Sequence, residues 1–389
     1  MTDKPATMQR VVTAADVAKI CGVHRSTVRR VMCDDPRISA KTAQLVWEAA
    51  RQIGYDPTQH VAARRMALQK QGQVIRNYVI GCVFPVHFQR NNYFNAIHRG
   101  IFDTLENEKF ALLTSCYHQP DPELGNSPIP PALMRGEVDG LIVLHTRMFG
   151  SFLTGLQHAG TFQQRPTVTL LHTLPSLPAV LTDDCAGAYA AAMHLLQLGH
   201  RHIVQLTISS SDENMQRRLA GIRKAMSETG LNPDTHLHQC EVDLNWTMPT
   251  TLAEDIGEQS VGKLAHDQSK QRLISMLHAH PEITAIMGVN DVSATRVWHC
   301  LALEGWRVPD DYSLVGFDDT DAQLDAFNRN ILTSVSLPLE QAGMRVARLI
   351  LDLINGQAAS ATPIMLQPNL VIRHTTGPCR QMKSVSSRL

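Results

Sequence analysis

Residues 12–32 read VTAADVAKICGVHRSTVRRVM, and positions 24–30 of that stretch hold His24, Arg25, Ser26, Thr27, Arg29 and Arg30. Three guanidinium groups offer rigid forks of donors that match phosphate oxygens and guanine edges, and the hydroxyls add shorter contacts to either. The chemistry on offer is recognition of a polyanion, without bond making. Nothing in the chain assembles a reaction centre: no GxxxxGK[ST], HExxH, GxSxG or GxGxxG pattern occurs, so phosphate loops, zinc hydrolysis and nucleophile elbows lack support.

The elements that must position those side chains are legible around them. Thr13 and Asp16 form a capping-box pattern for a first helix, with Val17, Ala18 and Ile20 as its apolar face. Gly22 permits a left-handed turn that strains other residues. Val23, Val28 and Val31 then give a second helix an inward stripe and turn the basic residues outward. Ser39 or Thr42 opens a third helix through TAQLVWEAARQI, closed by Gly54. The expected core is Val17, Val28, Val31, Val46 and Ala49. Two helices about a glycine turn make the helix-turn-helix pattern, whose second helix enters the DNA major groove. Any helical hairpin can imitate it, so the basic outer face carries the argument.

Charge supports a polyanion. Residues 1–76 hold 13 Lys and Arg against 6 Asp and Glu, a net of +7, and the remainder hold 23 against 30, a net of −7. A basic head on an acidic body suits a nucleic-acid partner; a solvated basic domain is the alternative. The first residues lack a secretory pattern, no stretch is apolar enough for a membrane span, and the eight cysteines include no CxxC pair. A reduced, cytoplasmic setting is expected, with no membrane partner.

The motif VTAADVAKICGVHRSTVRRVM, followed by ISAKTAQLVWEAARQIGYDP, closely resembles the head of the LacI/GalR family of bacterial transcription regulators. Thr13, Asp16, Val17, Ala18, Gly22, Val23, Thr27, Val28, Arg30, Val31, Ser39, Thr42, Gly54, Tyr55 and Pro57 match its usual pattern. The resemblance implies that Arg25 and Ser26 read bases and that Arg30 makes a further major-groove contact. His24, Arg29 and Cys33 replace a serine, a second serine and an asparagine at positions that mostly contact phosphate, so the operator sequence is not inherited. The implied DNA-contacting set is Thr13, His24, Arg25, Ser26, Thr27, Arg29 and Arg30.

After Pro57 the family places a hinge helix whose leucine wedges into a minor-groove base step. Here Val61 to Met66 fall in that region, with Arg65 as a basic contact and Met66 in the leucine's place, although about two residues are inserted relative to the usual spacing. A basic linker is the alternative.

From residue 77 onward, short apolar runs such as YVIGCVFP, FALLTSCY, DGLIVLH, PTVTLLHT, HIVQLTIS, AIMGVN and YSLVGFDD alternate with amphipathic helical segments. Buried parallel strands and doubly wound α/β sheets follow, with ligands at the strands' carboxyl ends. DLNWTMPTTLAEDIGEQSVGK reads as a surface insertion. The resemblance continues through VLTDDCAGAYAAAMHLLQLGHRHI, RLAGIRKAM and VPDDYSLVGFDDT, and implies a periplasmic-binding-protein-like core of two doubly wound subdomains. The expected division is a DNA-binding head at 1–58 and hinge and linker at 59–76. One subdomain would comprise 77–181 and 337–365, the other 182–336 and 366–376, leaving a loose tail at 377–389.

By the same resemblance, ligand lies between the subdomains. Arg218 matches an arginine that hydrogen-bonds ligand hydroxyls or carboxylates, and Asp318 a carboxylate that accepts from hydroxyls. Surface ion pairing and an exposed loop acid are their respective alternatives. Asn290 is placed to touch ligand, while Asp291 would cap the following helix. Tyr93 and Phe94 match aromatic positions lining the cleft, with core packing as the alternative. Leu171, followed by His172, stands where many members bind sugar hydroxyls with an aspartate, and Leu337 replaces an often polar residue. Losing two polar groups argues against a typical free hexose, so the effector, expected to be sugar-like from the family resemblance, is left open among sugars, sugar acids, sugar phosphates and no ligand at all. The dispersed histidines, including HAH at 278–280 and LGHRH near 200, are read as cations at helix ends, with no metal and no cofactor. The expectation is a non-enzymatic, ligand-responsive regulator, in which a homodimer binds double-stranded operator DNA. A solute-binding transport component sharing the body fold is the rival.

Overall fold

The computed structural model describes residues 13–32, 35–55, 76–85, 91–117, 133, 137–144, 165–208, 213–247, 259–358, 360 and 362–380. The chain divides into two compact units, Met1–Asn77 and Tyr78–Leu389.

In the first unit, α1 (Ala14–Cys21) begins at Thr13, whose backbone amide and hydroxyl both donate to Asp16 Oδ2, at 2.8 and 2.7 Å. It ends on Gly22 at φ 63°, the left-handed conformation its sequence predicts. Helix α2 spans Arg25–Met32 and α3 spans Ala40–Gln52, with Ser39 Oγ accepting from the Thr42 amide at 3.2 Å. All five expected core residues are buried, joined by Ala18, Ala50 and Tyr55. Ile20 is a correction: it is half exposed. At 100° per residue it lies about 110° from the centre of the stripe formed by Val17, Ala18 and Cys21, so it faces away from the other helices.

In the second unit the strands and helices run β1 (Val79–Pro85), α4 (Asn92–Asn107), β2 (Ala111–Tyr117), β3 (Gly140–Leu144), β4 (Thr167–Leu170), β5 (Ala179–Thr182), α5 (Asp184–Gln197), β6 (His202–Thr207) and α6 (Glu213–Glu228). They continue as α7 (Pro233–His236), β7 (Leu237–Glu241), α8 (Gln259–Ala279), β8 (Ile283–Met287), α9 (Asp291–Leu303), β9 (Ser313–Asp318), β10 (Thr333–Ser336), α10 (Leu339–Ile354), β11 (Ile364–Leu366) and β12 (Asn369–Val371). Two six-stranded sheets result, ordered β11-β5-β4-β3-β1-β2 and β12-β10-β9-β8-β6-β7. Every pairing is parallel except the antiparallel β10–β12 edge. Strands β3, β4 and β9 are buried at every position, because helices cover both faces of a doubly wound sheet.

The strand order reverses between β1 and β3 in one sheet and between β6 and β8 in the other, where such folds form ligand crevices. The chain passes between the sheets three times: after β5, after β10, and in the short link from β11 to β12. Close helix contacts tighten each layer. A side chain on Gly343 of α10 would collide with the Ile97 carbonyl of α4, and one on Gly221 of α6 with the Cys185 carbonyl of α5. No helix among the described residues is long and apolar enough to cross a membrane.

Two expectations fail in this unit. The segment from Asp243 is not simply a surface insertion: Trp246, in a 3₁₀ turn at Leu244–Thr247, is fully buried, and α8 begins at Gln259. Nor is the tail loose from residue 377. Gly377 exchanges hydrogen bonds with the Ser313 hydroxyl, Cys379 is buried, and the Cys379 amide donates to the Leu198 carbonyl at 2.9 Å. His200, buried between the Thr284 hydroxyl and the Gly377 carbonyl, completes that anchor. Burial pushes its pKa down to about 4, so it sits there neutral and not as a helix-end cation.

Candidate functional site

Two arrangements carry the expected site residues, one in each unit. On α2, Val28 and Val31 turn into the core while Arg25, Ser26, Arg29 and Arg30 are exposed. Arg25 and Arg29 lie one turn apart, a like-charge spacing that weakens a helix by about 0.2–0.5 kcal/mol. An anion on that face relieves the repulsion. Arg29 and Arg30 occupy the last turn, where the helix dipole favours cations.

His24, in place of the serine, turns back onto its own helix. Its Nδ1 lies 3.3 Å from the Ser26 amide, which donates to it, and 2.8 Å from the Ser26 hydroxyl. The imidazole thus caps the start of α2 and holds Ser26. Thr27 is half buried. Thr13 spends its hydroxyl on the Asp16 cap. Arg65, Met66 and Cys33 lie outside the described residues.

In the second unit, Arg218 rises from α6 beneath the carboxyl ends of β8 and β9. Its Nε donates to Asp184 Oδ1 at 2.7 Å, its Nη1 donates to the Val289 carbonyl, and its guanidinium stacks 3.6 Å over the Phe317 ring. Burial opposes its charge, but the carboxylates of Asp184 and Asp318 raise its pKa above the ordinary arginine value. Arg218 is therefore no surface ion pair. Asp318 ends β9 at φ 94°, in the left-handed region, with Oδ1 3.7 Å from Arg218 Nη2. That oxygen is buried and accepts no hydrogen bond among the described residues. A buried carboxylate oxygen without a donor is costly in a folded protein unless something else supplies one. Strain and an unmet acceptor coincide at one residue, as they do at functional sites.

Burial is the main cause that lifts the Asp318 carboxyl to about 8, with Arg218 pulling the other way. Its folded pKa exceeds the unfolded 3.8, so the folded chain binds the extra proton across that window. Stability from this group is present at low pH, falls as pH rises through the window, and levels off above about 8. Melting at pH 5 and pH 8.5 tests this. Asp318→Asn is expected to shrink the loss of melting temperature between the two pH values by several degrees; an unchanged difference contradicts the reading.

The helix cap expected of Asp291 is made by Asn290 instead. Asn290 is the cap of α9: its Oδ1 accepts from the Ser293 amide at 3.0 Å, and its Nδ2 donates to the Thr247 carbonyl at 2.8 Å. Asp291 instead turns inward, where Oδ2 accepts from the amides of Thr320 at 2.7 Å and Asp321 at 3.2 Å, and Oδ1 from the Ser334 hydroxyl. Burial raises its carboxyl to about 7 despite those donors. Asp291 thereby pins the loop that follows Asp318.

The first sheet contributes from across the crevice. Tyr93, at the start of α4, is near enough for its phenol to act on the Arg218 charge. Phe94 packs edge-on to Phe84 and Tyr93, at 6.5 and 5.2 Å between ring centroids. Asn92 Nδ2 donates to the Thr320 carbonyl at 3.2 Å and to Asp321 Oδ1 at 3.1 Å, and His172 Nδ1 stands 3.3 Å from Glu213 Oε2. Leu171 and Leu337 are buried, and Leu171 holds φ 65°. Arg218, Asp318 and Tyr93 come together; Asn290 is engaged elsewhere. The sequence reading missed Asp184 and the Asn92 bridge. Asp184 was visible as the second carboxylate of VLTDDC, but only the fold places it against α6.

Comparison with known proteins gives a match for each unit. Residues 13–58 match the family of bacterial regulatory proteins, lacI family, and residues 192–376 match the periplasmic binding protein-like domain. The chain is 29% identical over 368 residues to the transcriptional regulator DegA of Bacillus subtilis (strain 168), covering 94% of this chain and 98% of that one. In structure it is similar to a lac repressor dimer bound to operator and an anti-inducer, with TM-score 0.60, 23% identity, and coverage of 95% and 100%. It is also similar to the regulator CelR in complex with cellobiose, with TM-score 0.58, 22% identity, and coverage of 94% and 99%. The relatives are transcriptional regulators and not enzymes. The chain joins a head of the lacI family, at 13–58, to a periplasmic-binding-protein-like domain, and is a helix-turn-helix transcriptional regulator.

Proposed function

We propose that this regulator represses transcription from a two-fold symmetric operator as a cytoplasmic homodimer, and that a small polyhydroxylated ligand in the crevice between its two sheets controls operator affinity. The subdomain division at residues 77–181 with 337–365 and 182–336 with 366–376 belongs to this reading. The observation that carries the ligand proposal is Asp318 Oδ1, buried and without a donor beside the Arg218 fork. A ligand hydroxyl donates to that oxygen, a second ligand oxygen accepts from Arg218, and Tyr93 and His172 line the first-sheet side. Leu171 and Leu337 make the walls more apolar, which suits a ligand with one polar edge.

Coupling follows from the crevice contacts. The Asn92 bridge and the His172–Glu213 pair join elements of the two sheets. A ligand that favours one spacing of the sheets shifts the population between DNA-competent and incompetent poses. The similarity to CelR, solved in complex with cellobiose, supports a saccharide as the ligand class. The test is a thermal-shift series with neutral sugars, sugar acids and sugar phosphates on the full chain. One class should raise the melting temperature, and Asp318→Asn should remove that rise. A response undiminished in Asp318→Asn would contradict the assignment.

In the hinge, Met66 is proposed to wedge into the operator's central base step, since a flexible apolar side chain suffices to pry bases apart. Met66→Ala should lower operator affinity by about tenfold, equivalent to about 1.4 kcal/mol, and spare non-specific binding. Gel mobility of bent and unbent duplexes measures both; an unchanged operator affinity and bend would remove the wedge.

A further inference from the structure

The fold gathers histidines that the sequence disperses. His202 opens β6, His236 ends α7, His238 lies in β7, and His280 and Glu282 lie just before β8. Because β7, β6 and β8 are neighbours in the second sheet, these side chains meet at its amino-terminal edge. That edge is opposite the strand ends that carry Asn290 and Asp318. The ligand atoms of His202, His238 and Glu282 all lie within 4.8 Å of one another, and all three residues are partly buried.

We propose that His202, His238 and Glu282 form a binding site for a divalent transition-metal ion of zinc-like preference. His202 Nδ1 and His238 Nε2 stand 3.3 Å apart. That is long for a hydrogen bond to nitrogen, yet it is the spacing that two nitrogens take on one tetrahedral metal: bonds of about 2.0–2.1 Å place them about 3.3–3.4 Å apart. Two imidazoles and a carboxylate are a donor set of borderline softness, which suits zinc and its neighbours over magnesium or calcium.

The surroundings also have the character of a metal site. His280 Nδ1 is 3.0 Å from Glu282 Oε1, so it holds one carboxylate oxygen and leaves the other for an ion, as outer partners of metal ligands do. His236 stacks on His202 with 4.6 Å between centroids, and its own Nδ1 is engaged by Thr235 and the Asn232 carbonyl. It acts as a wall that fixes the His202 ring. Burial and the mutual repulsion of neighbouring histidines keep His202 and His238 below the ordinary histidine pKa, and a neutral imidazole is the form that binds metal. Three protein ligands leave a further position open to water or to an outside group.

The experiment titrates the full chain with Zn²⁺ against a chromophoric chelator, and repeats it with His238→Gln, Glu282→Gln, His280→Gln and, as a control, His299→Gln on α9. Melting curves without metal establish that each variant is folded. The expected result is one site per chain that competes with the chelator and is lost in His238→Gln and Glu282→Gln. It should weaken by about 10- to 100-fold in His280→Gln and persist in His299→Gln. Zn²⁺ should raise the melting temperature of the unsubstituted chain but not of His238→Gln, since an ion that binds the folded form stabilises it. Co²⁺ should give the visible absorption of a four-coordinate nitrogen and oxygen site. Equal Zn²⁺ affinity in all variants, or no competition by the unsubstituted chain, would overturn the proposal.

Discussion

Replacing Arg218 by alanine is expected to destabilise the second unit by about 3–5 kcal/mol, the loss typical when one partner of a buried ion pair is removed. Three interactions end together: the 2.7 Å bond to Asp184, the bond to the Val289 carbonyl, and the stacking over Phe317. Asp184, almost wholly buried, then keeps only the Thr182 hydroxyl, at 3.1 Å, among the hydrogen bonds described for its side chain. Asp318 loses the cation that draws its pKa down. Arg218→Lys keeps the charge but not the fork, and should fall between the two. Urea unfolding of the single variants, of Asp184→Asn and of the double variant Asp184→Asn/Arg218→Ala measures the coupling directly. The double variant should be less destabilised than the sum of the singles, because the uncompensated charge is gone. Additive losses would mean that Arg218 contributes by packing alone.

Arg25→Ala is expected to lower discrimination at one operator base pair by about 1–3 kcal/mol, the value of a bidentate arginine–guanine pair. The side chain is exposed on the first turn of α2, where a helix lying in the major groove presents its residues to base edges. Binding to duplexes that vary one base pair at a time separates this from a phosphate contact. A base reader loses preference at one position, whereas a phosphate contact loses affinity on every sequence and flattens the salt dependence by about one charge. The same series on Arg29→Ala should give the second pattern.

The head was legible almost residue by residue. Its signals are local: a capping box, a glycine turn and valines at helical spacing. They suffice because an eight-residue helix has little room to face any other way. Ile20 shows the limit, since a short helix offers too few turns to fix the centre of its stripe. In the second unit, continuous apolar runs such as GLIVL announced buried strands. The short edge strands β11 and β12 and the alternating LHQCE of β7 were missed because half-exposed edges carry little apolar signal.

The crevice was legible where a side chain is its own signal, as with Arg218 and Asp318. It was not where partners come from distant chain positions. Asp184 and Arg218 are 34 residues apart, and Asn92 and Asp321 are 229 apart. The cap was assigned to Asp291 and not to Asn290 because both can cap a helix; only the environment decides, and the buried donors of Thr320, Asp321 and Ser334 take the carboxylate. The histidines at 202, 236, 238 and 280 show the same principle, since sheet order, not sequence, makes them neighbours.

The most direct test of the account is selection of bound duplexes from a random pool by the purified full chain, repeated in the presence of the saccharide that passes the thermal-shift series. The account predicts recovery of a two-fold symmetric sequence with a readily deformed central step, and a changed yield when the saccharide is added. Recovery of no sequence preference, with binding that tracks salt alone, would contradict it.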